Sequence, residues 1–305
     1  MKIYMLKCHN ELKMGVELEK GMLDFSAAYQ AYHFFRNQRM MVRVGTIGEL
    51  IRRGEFTEET FLQVFNFLES HNLWDHYLLR GNFRLQAPIL RPGKIVALGL
   101  NYTAHARESG HPVPEEPILF AKTSSTVIGP EQPICIPEGV GRVDHELELA
   151  VIIGKPASQV PKEAALDVVA GYTVFNDVTA RAMQSQDIEA KLPWYRSKNF
   201  DTFGPMGPCL LTKKEVGFPI ELEMELRVNG EVRQKSNSRD MVFDIPSIIA
   251  YITRWITLEP GDVIATGTAE GISEIHPGDV VEAEIEKIGI LRNPVEGSSS
   301  SAEAS

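Results

Sequence analysis

Two glutamates stand two residues apart in the segment Asp144–Gly154, which has no polar side chain after Glu148. The segment alternates as a β-strand does, so Glu146 and Glu148 share one face, which continues downstream with apolar side chains. Two carboxylates on such a core-like face would repel each other and lose solvation unless they became protonated, paired with cations or bound a metal. A solvent-facing acidic edge strand is the alternative that this segment leaves open.

A third carboxylate, Asp177, follows the apolar strand Val168–Asn176 and precedes a predicted helix, Val178–Lys191. Strand ends are positions where site residues concentrate. Three carboxylates without a cysteine or histidine cluster favour a hard divalent ion, Mg²⁺ or Mn²⁺, with water and substrate as further ligands. On the helix, Arg181 and Gln184 are three residues apart and share a face, where they can hold a carboxylate and an oxo group.

Groups suited to proton transfer and to charge stabilisation occur in two further segments. His105 and Glu108 are spaced i, i+3 after an apolar strand, so one helical turn brings them together, as in a base that activates water. An ion pair on a helix surface is the commoner explanation of this spacing. Lys198 lies in a stretch rich in glycine, proline and aromatic residues, where it can steady an oxyanion near a metal or extend into solvent.

A turn of small residues follows another apolar strand, Val263–Thr266. Gly267 offers an approachable backbone N–H and Thr268 a hydroxyl, which together suit a substrate carboxylate, although an ordinary turn has the same composition. Familiar catalytic motifs fail on inspection. His145-Glu146 begins a zinc-protease motif but lacks its second histidine, and there is neither a P-loop nor a G-x-S-x-G sequence.

The elements that must position these residues are mostly strands. From about residue 94, short apolar runs alternate with glycine and proline, which favours a β-rich α+β domain over a doubly wound one. The predicted strands are Lys94–Gly99, Ile118–Ala121, Glu146–Ile153, Val168–Asn176, Leu222–Val228, Val263–Thr266 and Val280–Ile288. A further helix is predicted over Ile245–Trp255, where apolar residues recur at helical spacing.

Three regions are predicted along the chain. Residues 1–88 form a small α+β module for packing or oligomerisation, residues 89–295 the catalytic domain, and residues 296–305 a disordered low-complexity tail. The module is predicted to have strands in Lys2–Cys8 and Gly15–Phe25 and helices in Ile47–Arg53 and Glu58–Ser70.

Composition limits the classes of partner. The 305 residues carry 31 basic and 41 acidic side chains, a formal net charge of −10, so nucleic acid is not an expected partner. No apolar run is long enough for a membrane span, and the N-terminus lacks the apolar core of a secretory signal. The three widely spaced cysteines are typical of free thiols in a reducing cytoplasm, the expected location.

In order and spacing, these segments resemble the fumarylacetoacetate hydrolase family over about Lys94–Val295. The strings that carry the resemblance are Gly99–Tyr102 with the His-Glu pair, Asp144–Leu149, Gly171–Arg181, Lys198–Pro205, Ala265–Thr268 and Ile288–Val295. The resemblance implies a mixed β-sheet roll with a deep metal site in a homodimer, and an extra N-terminal domain like that of many microbial members.

The resemblance also implies roles for single residues. It places metal ligands at Glu146, Glu148 and Asp177, the water-activating pair at His105 and Glu108, the conserved lysine at Lys198, and substrate contacts at Arg181, Gln184 and Thr268. Ala182 and Thr123 stand where many members have aspartate and proline, and neither replaces a metal ligand.

The implied activity is Mg²⁺-dependent hydrolysis of a C–C bond in an acylpyruvate- or fumarylpyruvate-like 2,4-dioxo acid, through a metal-stabilised enolate and a water activated by the His-Glu pair. Mn²⁺ and Ca²⁺ are the alternative ions. Isomerisation of 2-hydroxyhepta-2,4-diene-1,7-dioate and decarboxylation of oxaloacetate would use the same enolate and remain alternatives. The substrate is a small anionic oxo acid in each case. A catalytically silent scaffold is disfavoured because His105, Glu108 and Lys198 accompany the carboxylates.

Overall fold

The computed structural model describes residues 1–37 and 43–297. Antiparallel strands open the chain, and helices and a short strand follow them. These elements are β1 (Lys2–Cys8), β2 (Glu11–Leu18), β3 (Gly21–Asp24), α1 (Phe25–Asn37), α2 (Ile47–Arg52), α3 (Glu58–Ser70), α4 (Trp74–Tyr77) and β4 (Arg84–Gln86). The predicted strand Gly15–Phe25 is therefore divided between β2 and β3, and α1 begins where that strand was predicted to end.

Two predicted helices of this region begin at threonine caps. The Thr46 side chain caps α2 by accepting from the backbone N–H of Glu49. The Glu49 side chain in turn accepts from the backbone N–H of Thr46, which completes a capping box. The Thr57 side chain caps α3 by accepting from the backbone of Thr60. Both helices predicted from apolar spacing are confirmed, and α2 is one residue shorter than predicted.

The rest of the chain is rich in strands. They are β5 (Ile95–Gly99), β6 (Ile118–Lys122), β7 (Val127–Ile128), β8 (Ile134–Ile136), β9 (Val143–Asp144), β10 (Leu147–Ile153), β11 (Val169–Asn176), β12 (Thr179–Ala180), β13 (Gly204–Thr212), β14 (Glu223–Val228), β15 (Glu231–Asn237), β16 (Val263–Ala265), β17 (Val280–Ile285) and β18 (Gly289–Gly297). The helices are α5 (Thr103–Glu108), α6 (Arg181–Glu189), α7 (Tyr195–Lys198) and α8 (Ile245–Thr253). Each of the seven strands predicted in this part is present, to within a few residues at its ends.

The strands form two mixed sheets and a short pair. The larger sheet has the order β3-β2-β1-β13-β11-β10-β16-β5-β6, with β4 beside β1 and β7 beside β13. The smaller sheet has the order β15-β14-β17-β18-β8, and β9 pairs with β12. Most pairs are antiparallel, whereas β16–β5, β13–β7 and β18–β8 are parallel. The predicted β-rich α+β class with mixed sheets is confirmed.

Strand β10 lies between β11 and β16 and is buried along its whole length. Its residues Leu149 and Val151 pack into an apolar cluster shared with the smaller sheet. Ala150 and Ile152 pack into a second cluster, which includes Phe61 of α3. The strand is therefore covered on both faces, so the alternative of an acidic edge strand is wrong.

The first strand of the chain joins the large sheet directly. Lys2 and Ile3 of β1 pair with Leu211 and Leu210 of β13. Residues 1–88 thus share a sheet with the later part of the chain, and the boundary drawn at residue 88 stays a prediction. Among the described residues, no helix has the length and apolar character needed to cross a lipid bilayer.

Three predicted element boundaries need correction. Residues 179–180 form β12 instead of the start of a helix, because they pair with β9, and α6 begins at Arg181. Helix α8 ends at Thr253, two residues before the predicted end. Strand β18 continues to Gly297, so the first two residues of the predicted tail pair in the smaller sheet, and residues 298–305 lie outside the described residues.

Candidate metal centre and active site

The antiparallel pairing of β10 with β11 brings the three predicted metal ligands together. Leu147 lies opposite Asn176 in the register, so the residue before β10 and the residue after β11 are neighbours. The backbone N–H of Asp177 donates to the Glu146 carbonyl over 2.8 Å. One carboxylate oxygen from each of Glu146, Glu148 and Asp177 lies within 4.8 Å of the others, and all three residues are buried.

Burial and mutual repulsion make this cluster unfavourable as three bare charges. Burial raises the pKa of Glu148 well above its ordinary value, and the neighbouring charges of Asp177 and Glu146 raise it further. The Glu148 carboxylate accepts one hydrogen bond, from the backbone of Gly267 over 2.9 Å. Burial also opposes ionisation of Glu146, but Lys198 and Arg181 outweigh it and hold the pKa of Glu146 below its usual range.

The donor set fits a hard divalent cation. Three buried carboxylate oxygens within reach of one point match the ligands that Mg²⁺ and Mn²⁺ take in proteins. Burial is the main cause of the raised pKa of Glu148, and a cation there would offset the repulsion that adds to it. Such a cation would be held by Glu146, Glu148 and Asp177, the residues that the sequence predicts.

Two buried lysines hold the triad from the other side. The Nζ of Lys198 lies 2.8 Å from a Glu146 oxygen and 2.5 Å from Asp177 Oδ2. Although burial opposes its charge, these two carboxylates raise the pKa of Lys198. The Nζ of Lys122 lies 2.7 Å from Asp177 Oδ1, and both side chains are fully buried. Burial lowers the pKa of Lys122 despite this carboxylate.

Sequence reasoning missed Lys122. Its signal is a charged residue at the end of the apolar strand β6, where a lysine is expected only with a partner. It becomes the second cation of the site because β6 ends beside the segment that carries Lys198, whose backbone carbonyl accepts from Lys122.

Helix α6 contributes the predicted Arg181 and Gln184, and the two side chains contact each other. Arg181 also binds Glu146 and, through its Nε over 2.8 Å, a second carboxylate, Asp144. Asp144 is fully buried and was not predicted as a site residue. Burial opposes the charge of Arg181, but Glu146 and Asp144 raise its pKa, so this guanidinium is a fixed positive charge beside the triad.

The predicted proton-transfer pair lies on the short helix α5. His105 Nδ1 and a Glu108 carboxylate oxygen are 3.5 Å apart, a long contact for a hydrogen bond. The histidine is buried, whereas the glutamate side chain is 40% exposed. Both Glu108 oxygens also accept from the backbone N–H of Gly271 over 3.1 Å. The glutamate is therefore anchored where it can orient the imidazole.

In the turn after β16, Gly267 has a φ of +93°, a backbone conformation that favours glycine. A side chain there would meet the Asn101 Cβ at 2.8 Å, so glycine is required. The next residue, Thr268, is buried, and its hydroxyl accepts from the Nε2 of Gln234 over 2.8 Å. Gln234 lies on β15 of the smaller sheet and was not predicted either.

Gln234 also holds the segment in front of the triad. Its Oε1 lies 3.1 Å from His145 Nδ1 and accepts from the backbone of Leu147 over 3.0 Å. The other His145 ring nitrogen lies 2.9 Å from the Ser273 hydroxyl, and burial lowers the pKa of His145 to about 4. His145 is thus a neutral structural residue, consistent with the failure of the zinc-protease motif.

Most of the predicted site residues line one cavity of about 720 Å³. The predicted residues in its wall are His105, Glu108, Glu146, Arg181, Gln184, Lys198 and Thr268. The wall also includes apolar side chains, among them Leu98, Ile118, Phe120, Ile188, Leu192, Trp194 and Ile272, and the basic residues Arg142, Lys191 and His111. Glu148 and Asp177 lie beneath this wall in contact with Gly267 and Lys198.

The fold and the site together define a class: strand-rich enzymes that carry a buried carboxylate triad beneath a cavity with both polar and apolar walls. The family described as fumarylacetoacetate (FAA) hydrolase C-terminal matches residues 94–296. The chain belongs to this family, and the three members with which it is compared below are enzymes.

Three comparisons represent its relatives. A mitochondrial oxaloacetate tautomerase of Xenopus laevis is 43% identical over 253 residues, which cover 80% of this chain and 78% of the relative. The 5-carboxymethyl-2-hydroxymuconate delta-isomerase of Mycobacterium smegmatis superposes with a TM-score of 0.73 at 32% identity, covering 98% of this chain and all of that one. The maleylpyruvate hydrolase of Sphingobium sp. SYK-6, solved with manganese(II) and pyruvate, gives 0.76 at 30% identity with the same coverage.

Proposed function

We propose that this protein is a divalent-metal-dependent hydrolase that cleaves the C–C bond of a small 2,4-dioxo acid of the acylpyruvate or fumarylpyruvate type. The observation that carries the proposal is the single cavity in which His105 faces the same space as Lys198 and the triad residue Glu146. The manganese(II) and pyruvate bound by the Sphingobium hydrolase support a metal and an oxo-acid product of this kind. We propose Mg²⁺ as the ion and a homodimer as the assembly.

The metal would be held by Glu146, Glu148 and Asp177, and when bound it supplies Lewis-acid stabilisation for negative charge on the oxo acid. Gln184 offers its amide N–H groups to the acid end of the substrate, and Arg181, on the same face of α6 and held by Gln184, Glu146 and Asp144, supplies a fixed positive charge beside it. Together these groups fix the oxo-acid fragment at the inner end of the cavity.

Proton transfer and charge stabilisation fall to His105 and Lys198. His105, oriented by Glu108, accepts a proton from water, which attacks the carbonyl remote from the acid. The Lys198 ammonium, buried beside the Phe120 ring at 4.9 Å, stabilises the oxyanion that forms. The oxyanion then collapses to the free acid as the C–C bond breaks, and the electron pair remains on the oxo-acid fragment as an enolate. The enolate takes back the proton held by His105, leaves as its enol and becomes the keto acid.

A second candidate is keto–enol interconversion of an oxaloacetate-like acid. The Xenopus tautomerase favours it, at 43% identity over four-fifths of this chain. That reaction needs proton transfer at the carbon next to the oxo group and no attacking water, so it would use the same cation site and a proton donor–acceptor such as His105.

A substrate panel tests both. The protein is treated with EDTA, dialysed, and assayed with an acylpyruvate, oxaloacetate and a 2-hydroxydienedioate, each with and without Mg²⁺ or Mn²⁺. Metal-dependent release of pyruvate and the free acid supports the hydrolase, and metal-dependent loss of enol absorbance from oxaloacetate without cleavage of the acylpyruvate supports the tautomerase. Glu148→Gln is assayed in parallel as the metal-site variant, because it removes the charge of one ligand and keeps the shape of the side chain. Turnover that survives both EDTA and Glu148→Gln would refute either proposal.

A further inference from the structure

Two arginines share one buried carboxylate at the wall of the cavity. Asp144 Oδ1 lies 2.7 Å from Arg142 Nε, and Asp144 Oδ2 lies 2.8 Å from Arg181 Nε. Because Asp144 is fully buried, both guanidinium groups are fixed by a partner that cannot turn toward solvent. Each arginine thus binds Asp144 through its Nε, and its two terminal nitrogens remain available to other partners.

The two arginines differ in how those terminal nitrogens are used. Those of Arg181 contact Gln184 and Glu146, and its side chain is 21% exposed. The Arg142 side chain is 50% exposed, and within residues 1–37 and 43–297 its terminal nitrogens have no hydrogen-bonding or ionic partner. A free guanidinium edge of this kind matches the two oxygens of a carboxylate.

The backbone of Arg142 is also held in place. The Arg142 carbonyl accepts from the backbone of Arg181 over 2.8 Å, at the start of α6. The preceding Gly141 has φ +77°, and a side chain there would meet the Ala182 Cβ at 2.9 Å. The free edge is therefore presented from a fixed position, so little side-chain entropy is lost when it binds an anion.

The charged groups in the cavity wall favour an anion near Arg142, and outside the wall Glu274 is a further charge that acts on this arginine. Of the acidic groups in the wall, Asp144 and Glu146 already pair with arginine or lysine, and Glu108 accepts from Gly271. Arg142 and Lys191 are exposed cationic residues of the same wall. The carboxylate triad lies at the inner end, separated from Arg142 by the contacts through Arg181 and Asp144.

We propose that Arg142 binds an anionic group at the end of the substrate remote from the metal site, and so selects dicarboxylic oxo acids over monocarboxylic ones of the same length. The inference rests on the proposed function, because it takes the metal-held end of the substrate to be an oxo acid. Arg142 is a specificity-determining residue and not part of the bond-breaking chemistry.

The test compares a 2,4-dioxo acid that ends in a second carboxylate with its terminal methyl ester, in the presence of Mg²⁺. In Arg142→Gln, kcat/KM for the diacid is expected to fall about 10- to 100-fold, mainly through KM, because a charged pair of hydrogen bonds is lost. The value for the ester is expected to stay within about threefold. Arg142→Lys, which keeps the charge but loses the planar edge, should lie between.

Arg292→Gln is the matched control, since Arg292 is similarly exposed at 43% and pairs with Glu131, but lies outside the cavity wall. It is expected to leave both substrates unaffected. An equal loss on diacid and ester in Arg142→Gln, or no loss on either, would overturn the inference.

Calorimetric binding of the same two compounds to the Mg²⁺-loaded protein separates this inference from the proposed function. Preferential binding of the diacid that is abolished by Arg142→Gln supports the inference even when neither compound is cleaved, an outcome that would count against the hydrolase alone. Equal affinity for diacid and ester in the wild type overturns the inference whatever the turnover.

Discussion

Lys122→Met tests whether the buried lysines balance the charge of the triad. Three carboxylates, Glu146, Glu148 and Asp177, face the cations Lys122, Lys198 and Arg181. Lys122 Nζ lies 2.7 Å from Asp177 Oδ1, and both side chains are fully buried. Methionine keeps the length and the apolar stem of the lysine but removes its charge, so one Asp177 oxygen loses its ionic partner.

The expected loss is large because the pair is shielded from solvent. Removal of one partner from a buried ion pair costs about 3–5 kcal/mol of the free energy of unfolding. For a chain of this size that corresponds to a fall in Tm of roughly 6–10 °C, at about 2 °C per kcal/mol. A divalent ion at one hundred times its Kd stabilises by about 2.7 kcal/mol. This gain should be larger in Lys122→Met, because a like charge next to the ion has been removed.

The assay is thermal unfolding followed by circular dichroism, on protein freed of metal with EDTA and then with added Mn²⁺. Lys213→Met is the matched control, because the Lys213 ammonium bonds only the backbone carbonyls of Leu166 and Asp167 among the described residues. It should lose less stability, and its response to Mn²⁺ should equal that of the wild type. A loss below about 1 kcal/mol in Lys122→Met, or a response to Mn²⁺ no larger than in the wild type, would refute the electrostatic reasoning.

Four further predictions concern three other residues of the site. Glu148→Gln should lose the ion in elemental analysis of the dialysed protein, and a retained stoichiometric ion would contradict its role as a ligand. The raised pKa of Glu148 means that the folded, metal-free protein binds more protons at this residue than the unfolded chain does. The free energy of unfolding should therefore fall as the pH rises above about 4.5. Glu148→Gln should reduce this dependence of the free energy of unfolding on pH, measured by urea titrations at several pH values. His105→Ala should lower acylpyruvate cleavage about 10²- to 10⁴-fold, measured as pyruvate release with Mg²⁺, and unchanged cleavage would remove it from the role of base. Gln234→Leu should raise the KM for the oxo acid by freeing Thr268, and a change confined to Tm would reduce Gln234 to a structural role.

Much of the site was predictable because its signals are local. The alternation in Asp144–Gly154 places Glu146 and Glu148 on one face whatever the rest of the chain does, and both are buried in the structure. Asp177 follows from the end of an apolar strand. The strand positions were predictable for the same reason, since apolar runs between glycines and prolines are local patterns. The catalytic and binding roles of these residues stay predictions, as do the homodimer and the cytoplasmic location.

Element boundaries were less predictable where a distant partner sets them. The helix predicted from residue 178 begins only at Arg181, because Thr179 and Ala180 pair with Asp144 and Val143. That pairing also places Arg142 beside the start of α6. Local propensity does not contain the competing strand, so the boundary could not be read from the segment itself.

The sequence by itself determined the chemistry available to this protein: three carboxylates suited to a hard cation, a histidine with a glutamate one turn away, and a lysine near them. Only the tertiary structure decided which other groups complete the site. Lys122 pairs with Asp177, which is 55 positions later in the chain. Arg142 and Arg181 both bind Asp144. Gln234, on the smaller sheet, donates to the Thr268 hydroxyl. The physical reason is that a buried charge or amide acquires its role from its partner. Burial and partner are properties of the packed sheets and not of the neighbouring residues in the chain.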